Sequence, residues 1–277
     1  MRRIAFINEK GGTCKTTLCV NVAAWLAGRG KRVLVADMDT QGHAGKSLGV
    51  DVRRLEPTLH ELLLDYTVRF EDVVRPTPIP GLDLLPANKD LAEFPVAVAP
   101  AADRAERLRR RLDALGEGRY DAVLVDAPPS RSLVTDNVLV AAREVVVPVA
   151  LTYLALDGCA EILESLERMR AERGEAPALS LVVPALYRKT RLADEILAKL
   201  RARFPSVLSR SILGFSVKID EAQSHGRTIF EWAPRSAGAR TLAGIAGEIY
   251  ERGAAGTAAG GRAGAAAPER GTAGAPA

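Results

Sequence analysis

Short apolar runs alternate along the chain with longer stretches in which apolar residues recur every three or four positions. Runs near Ile4, Val33, Leu82, Val123, Val145, Leu181 and Val207 predict strands. Helical periodicity covers 15–27, 104–115, 134–142, 157–173, 192–204 and 237–251. KRVLVADMD at 31–39 and YDAVLVDAPPS at 120–130 read as buried strands ending in acids, the second stopped by two prolines. This order predicts an α/β fold, a mostly parallel twisted sheet with helices on both faces, in one domain over 1–252. Residues 253–277 are almost entirely Ala and Gly, with Pro268, Pro276 and no large apolar side chain, and are expected to form a disordered tail.

The first strand runs straight into KGGTCKTT at 10–17, which opens the first helix. A strand, a glycine-rich loop and a helix in that order make a phosphate cradle. Gly11 and Gly12 let backbone N–H groups turn inward, and Thr13, Cys14 and Thr17 complete the loop. Lys15 reaches the β and γ phosphates, and the Thr16 hydroxyl ligates Mg²⁺. The expected ligand is a nucleoside triphosphate. Asp37, Asp39 and Asp126 close their strands on the edge where α/β sheets bind ligands; as turn residues they need carry no chemistry.

The common phosphate-loop pattern places Gly at positions 9 and 14, where this chain has Glu9 and Cys14. With its added Lys10, the loop resembles the deviant Walker A ATPases, the family of ParA and MinD. The likeness extends through DAPPS, VVVPVALTYLALDG at 145–158, LYRKTRLADEILAKL at 186–200 and VKIDEAQSHGRTI at 217–229, to about Tyr250. The resemblance implies a P-loop fold, ATP with Mg²⁺, and a homodimer formed in ATP. It implies that Lys10 crosses to the partner's nucleotide, as an arginine finger does, that Asp39 positions the attacking water, and that Asp126 is the Walker B acid. Asp37 joins Thr16 and Asp126 as a metal-facing group. Tyr187, with Gly214, Phe215 and Ser216, falls where family members approach adenine. Asn88-Lys89-Asp90 resembles the guanine motif Asn-Lys-x-Asp, but Leu91 stands where its Asp belongs.

Cys14 replaces the glycine usual before the loop lysine. A left-handed backbone there costs roughly 1–2 kcal/mol for a side chain, whereas a right-handed one in the first helical turn accepts Cys; the intact set of Lys10, Lys15, Thr16, Asp39 and Asp126 favours the second. Three cysteines and no signal peptide suit a reducing cytoplasm. Cys19 and Cys159 read as core residues, and a nucleotide would cover Cys14, which weighs against a redox role for it.

The chain has 277 residues, 47% hydrophobic, with a net charge of +4. Between 185 and 240 it carries eleven Lys or Arg against five acids, so the rest is net negative by two. A localised basic surface suits nonspecific double-stranded DNA, held through phosphates. Arg188, Arg191, Lys218 and Arg235 are the candidate contacts, although on so arginine-rich a chain they also fit an ordinary solvated face. Arg107, Arg109, Arg110 and Arg111 share a helix with acids and read as exposed surface. The resemblance further implies a ParB-like adaptor and a nucleoid-associated, cytoplasmic protein that positions a plasmid, a chromosome origin or a protein cluster. Alternatives are a MinD-like membrane-recruited regulator, which the tail does not support because it lacks large apolar residues, a scaffold with little turnover, and an electron-transfer ATPase, for which Cys159 lacks a second cysteine.

Overall fold

The computed structural model describes residues 1–116, 118–153 and 155–260. Eight strands form one sheet: β1 Arg2–Phe6, β2 Val33–Asp37, β3 Arg75–Pro76, β4 Leu82–Leu85, β5 Ala122–Asp126, β6 Glu144–Ala150, β7 Ala178–Tyr187 and β8 Leu213–Gly214. The early helices are α1 Lys15–Ala27, α2 His43–Ser47, α3 Leu59–Leu64, α4 Phe70–Val73, α5 Phe94–Ala97 and α6 Arg107–Asp113. The later ones are α7 Leu133–Ala141, α8 Ala155–Arg173, α9 Arg191–Arg203, α10 Val217–Ser224, α11 Ile229–Trp232 and α12 Ala237–Gly260.

The strand order is β3-β4-β2-β5-β1-β6-β7-β8, with only the β3–β4 pair antiparallel. Successive side chains of a strand point to opposite faces, and the core divides accordingly. Ile4, Phe6, Val33, Val35 and Leu124 pack with Leu18 and Val22 of α1 and Leu242 and Ile245 of α12. Ala5, Leu34, Ala36, Val123 and Val125 pack with Val138 of α7, Ile162 of α8 and Ile196 of α9. Cys19 and Cys159 lie buried in the two cores, as their apolar helix faces predict.

From β1 the chain moves to β2 on one side, and from β5 it later passes to β6 on the other. The carboxyl ends of β1, β2 and β5 therefore meet at a switch point, where open α/β sheets leave a crevice. Register fixes the detail: Phe6 pairs with Asp126, and Asp126 pairs with Asp37.

Three expectations change. The run near Val207 makes only an isolated bridge between Val182 and Leu208. The buried Glu248 carboxylate takes the amides of Arg210 and Ser211, at 2.9 and 3.0 Å, and turns the chain away before β8 begins at Leu213. α12 continues past 251 to Gly260, so the first part of the expected tail, 253–260, is helical, as alanine favours; 261–277 lie outside the described residues. Arg107 and Arg111 are not simply solvated. Arg107 donates to the Leu63 and Leu64 carbonyls, both at 2.8 Å, and Arg111 to those of Tyr66 and Val68, so both hold the carboxyl end of α3 and the turn after it.

One contact between distant segments bears on the crevice. Gly49, just after α2, and Gly226, just after α10, both have positive φ and meet backbone to backbone. A Cβ on Gly226 would lie 2.9 Å from the Gly49 Cα and 3.2 Å from the Lys46 carbonyl oxygen.

Candidate functional site

The loop between β1 and α1 folds around Asn8 and the Lys10 carbonyl. Asn8 anchors its amide on the Pro148 carbonyl at 2.7 Å and accepts from the Lys10 N–H at 3.0 Å. The Lys10 carbonyl accepts from Lys15 Nζ at 2.9 Å and from the Thr13 hydroxyl at 3.3 Å. Gly12 has φ 70° and Cys14 φ 68°, ψ 25°. The right-handed backbone expected at Cys14 is thus corrected: the residue is left-handed and caps α1 from outside its first turn. Burial pushes the Cys14 thiol up to about 11, helped by Asp220. At neutral pH it is therefore a protonated packing group with little thiolate to oxidise.

The acids stand below the loop. Asp126 is fully buried; Thr16 Oγ1 donates to its Oδ2 at 2.6 Å, and its Oδ1 has no partner among the described residues. Burial raises the Asp126 carboxyl well above the usual range, and the neighbouring Asp37 charge adds to this. Lys15 is buried beside it, and burial lowers its ammonium while Asp126 and Asp39 oppose that shift. Asp37, also fully buried, spends both oxygens on backbone: Oδ1 accepts from Asp39 N at 3.0 Å, and Oδ2 from Ala44 N at 3.1 Å and Gly45 N at 3.5 Å. Both oxygens of Asp37, expected as a metal-facing group, thus accept from backbone amides. Burial pushes Asp37 up to about 7 against their pull.

A cavity of about 610 Å³ opens over this group. Gly11 through Thr17 form one wall, Asp39, Gln41, His43, Lys46 and Ser47 a second, and Gln223 and Ser224 of α10 a third, with Pro129 beside the loop. A further cavity, about 470 Å³, opens at Arg3, Asp113 and Arg143, away from the loop, and its arginines and acids largely pair with one another. An orphaned, buried carboxylate oxygen beside a hydroxyl suits a hard cation that takes few protein ligands, so Thr16 and Asp126 fit Mg²⁺.

The family described as AAA domain matches residues 1–179. The chain is 42% identical to the chromosome-partitioning ATPase Soj of Thermus thermophilus over 257 residues, covering 91% of this chain and 96% of that one. It is 32% identical to the chromosome partitioning protein ParA of Caulobacter vibrioides, covering 91% and 95%. This chain belongs to the ParA family of ATPases. Among solved structures, cobyrinic acid a,c-diamide synthase of Mycobacterium smegmatis, with bound ADP and magnesium, superimposes with a TM-score of 0.76 at 30% identity over 92% of this chain and 96% of that one.

In this ParA-family chain the residues expected near adenine gather at the ends of β7 and β8. Phe215 N donates to the Tyr187 carbonyl at 3.2 Å, and Ser216 begins α10. They do not line the cavity, and the Tyr187 hydroxyl turns to Asp194 at 3.0 Å. α10 reaches the loop farther along, where Gln223 Nε2 donates to Thr17 Oγ1 at 3.1 Å. Gln223, Ser224, His43, Lys46 and Ser47 were not foreseen as site residues. The block at 217–229 pointed to α10, but its pattern gave no sign of which helical face meets the loop.

The basic candidates collect around the same corner. The Arg188 guanidinium lies 4.6 Å from the Phe215 ring centre, Lys218 pairs with Glu221 at 2.7 Å, and Arg191 extends into solvent beside Glu195 at 3.0 Å. Gly238 of α12 packs on Ser216 and Ile219 of α10, which brings the exposed Arg235 to this region. Among the described residues no helix is long and apolar enough to cross a membrane.

Proposed function

We propose that this ParA-family ATPase is a nucleotide-dependent switch for partition or positioning of a cargo, in which two subunits close over ATP and Mg²⁺ and together bind double-stranded DNA without reading sequence. The observation that carries the reading is the buried Asp126, one oxygen on Thr16 and the other without a partner among the described residues, beneath a glycine-rich cradle whose Lys15 ammonium donates to the Lys10 carbonyl. Such a site is incomplete until phosphate oxygens and a cation arrive.

Thr16 and Asp126 would hold Mg²⁺, which when bound draws charge from the phosphate oxygens. Lys15 leaves the Lys10 carbonyl for the β and γ phosphates. Asp39, tied to its turn through Gln41 N at 3.0 Å, orients a water against the γ-phosphorus. The water's oxygen bonds to phosphorus as the bond to the ADP oxygen breaks, one water proton passes to a phosphate oxygen, and phosphate leaves carrying the water's oxygen with its other proton. Asp37 anchors the segment carrying Asp39. Lys10 of a second copy supplies charge to the γ-phosphate, so turnover needs the dimer, and a ParB-like adaptor accelerates it. The corner of Arg188, Arg191, Lys218 and Arg235 carries the DNA contacts, and the protein works on the nucleoid in the cytoplasm.

DNA binding measured with ATP, ADP or no nucleotide, at two salt concentrations, tests this. Asp39→Ala should bind persistently in ATP and Lys15→Ala hardly at all. Equal binding by wild type and both variants regardless of nucleotide would refute the switch.

A further inference from the structure

We propose that Lys46 is a second phosphate-binding cation from the nucleotide's own subunit, engaging the terminal phosphate and so favouring triphosphate over diphosphate. The proposal rests on reading the cavity as an ATP site. Lys46 lines that cavity from α2, on the wall that also carries Asp39. Its ammonium donates to the Gln41 carbonyl at 2.7 Å and makes no ion pair among the described residues. Lys15, on the loop wall, is held the same way, by the Lys10 carbonyl at 2.9 Å. An ammonium has three donors and a full charge; a single carbonyl, with solvent on the exposed Lys46, leaves that charge un-neutralised. Both lysines are parked, and a phosphate oxygen is the stronger acceptor for each.

The Lys46 backbone is fixed from several sides. Its N–H donates to the Gly42 carbonyl at 3.2 Å, and its carbonyl accepts from Gly49 N at 3.2 Å. The two preceding amides are those Asp37 holds. Gly226 backs the Lys46 carbonyl, where even a methyl group would come within 3.2 Å. The flexible stem thus starts from a set point beside the cavity, on the segment that also carries Asp39. Because Asp39 acts at the terminal phosphate, Lys46 meets charge that ATP has and ADP lacks. Unlike Lys10, it needs no second copy, so its effect appears in the monomer.

The test is the affinity of fluorescent ATP and ADP with Mg²⁺, at protein concentrations too low for dimers, for wild type, Lys46→Met, Lys46→Arg and Lys15→Ala. Lys46 is exposed, so its substitution leaves the fold intact, and an unchanged melting temperature without nucleotide checks this. Lys46→Met should weaken ATP about tenfold and ADP less than about twofold, with Lys46→Arg within about threefold of wild type for ATP. Unchanged ATP affinity in Lys46→Met, or equal losses for ATP and ADP, overturns the role of Lys46 if Lys15→Ala still abolishes binding. Lys15→Ala binding both nucleotides like wild type would instead remove the ATP-site reading beneath it.

Discussion

At Cys14 a side chain sits on a left-handed backbone, a geometry that costs a non-glycine residue roughly 1–2 kcal/mol. Glycine removes that strain but gives the unfolded chain more freedom, worth about 0.4–1 kcal/mol. Losing the packed thiol costs a further ~1 kcal/mol, so Cys14→Gly should leave stability within about 1 kcal/mol of wild type in chemical denaturation. With its thiol pushed up to about 11, Cys14 should react slowly with iodoacetamide at pH 7.5, and faster only as pH rises toward that value. Asp126 presents the opposite case, a fully buried carboxylate whose Oδ1 has no partner among the described residues. Asp126→Asn removes a buried charge while keeping an acceptor for Thr16, so the nucleotide-free protein should gain about 1–2 kcal/mol and melt a few degrees higher, and should lose stabilisation by Mg²⁺ and ATP. The sign with pH follows from the raised carboxyls. Asp37 and Asp126 both bind protons more tightly folded than unfolded, so the stability they contribute is present below about pH 4 and is lost as pH climbs toward 7 and beyond. The melting-temperature gap between Asp126→Asn and wild type should widen over that range.

At the scale of elements, α1 was legible to the residue because the loop lysine marks its start and Gly28 its end, with apolar positions filling the turns between. The apolar stretch at Val207 misled because its neighbours answer to Glu248 of α12, a long-range partner that local pattern does not encode. The third cavity wall was hidden for a similar reason: which face of α10 meets the loop depends on packing against α2 and α12. That packing is testable at Gly226, where Gly226→Ala adds a methyl group 2.9 Å from the Gly49 Cα on a backbone with positive φ. It should cost about 2–3 kcal/mol, read as a lower denaturation midpoint. The basic corner makes a separate demand on α10 and the turn before α12. Lys218→Ala and Arg235→Ala should each flatten the slope of log affinity for DNA against log salt by about 1, with little change in thermal stability because both side chains are exposed.

For the whole molecule, the parallel sheet and its crevice follow from strand and helix alternation, and the acids at strand ends mark the crevice before any coordinates do. What alternation leaves out is the sheet order, and with it the register that sets Asp37 opposite Asp126 and lets their charges act on each other. Assembly is the prediction that belongs here: in ATP, Asp39→Ala should elute as a dimer in size-exclusion chromatography, whereas Lys15→Ala stays monomeric. The unsatisfied oxygen of Asp126 reaches further than the site itself. A fold with a carboxylate stranded at its centre is weakest when vacant and strongest when loaded, since a ligand that binds only the native state adds its binding energy to the fold. Vacant copies are then the first to open and meet a protease, and the protein's lifetime in the cell should follow the supply of magnesium and ATP.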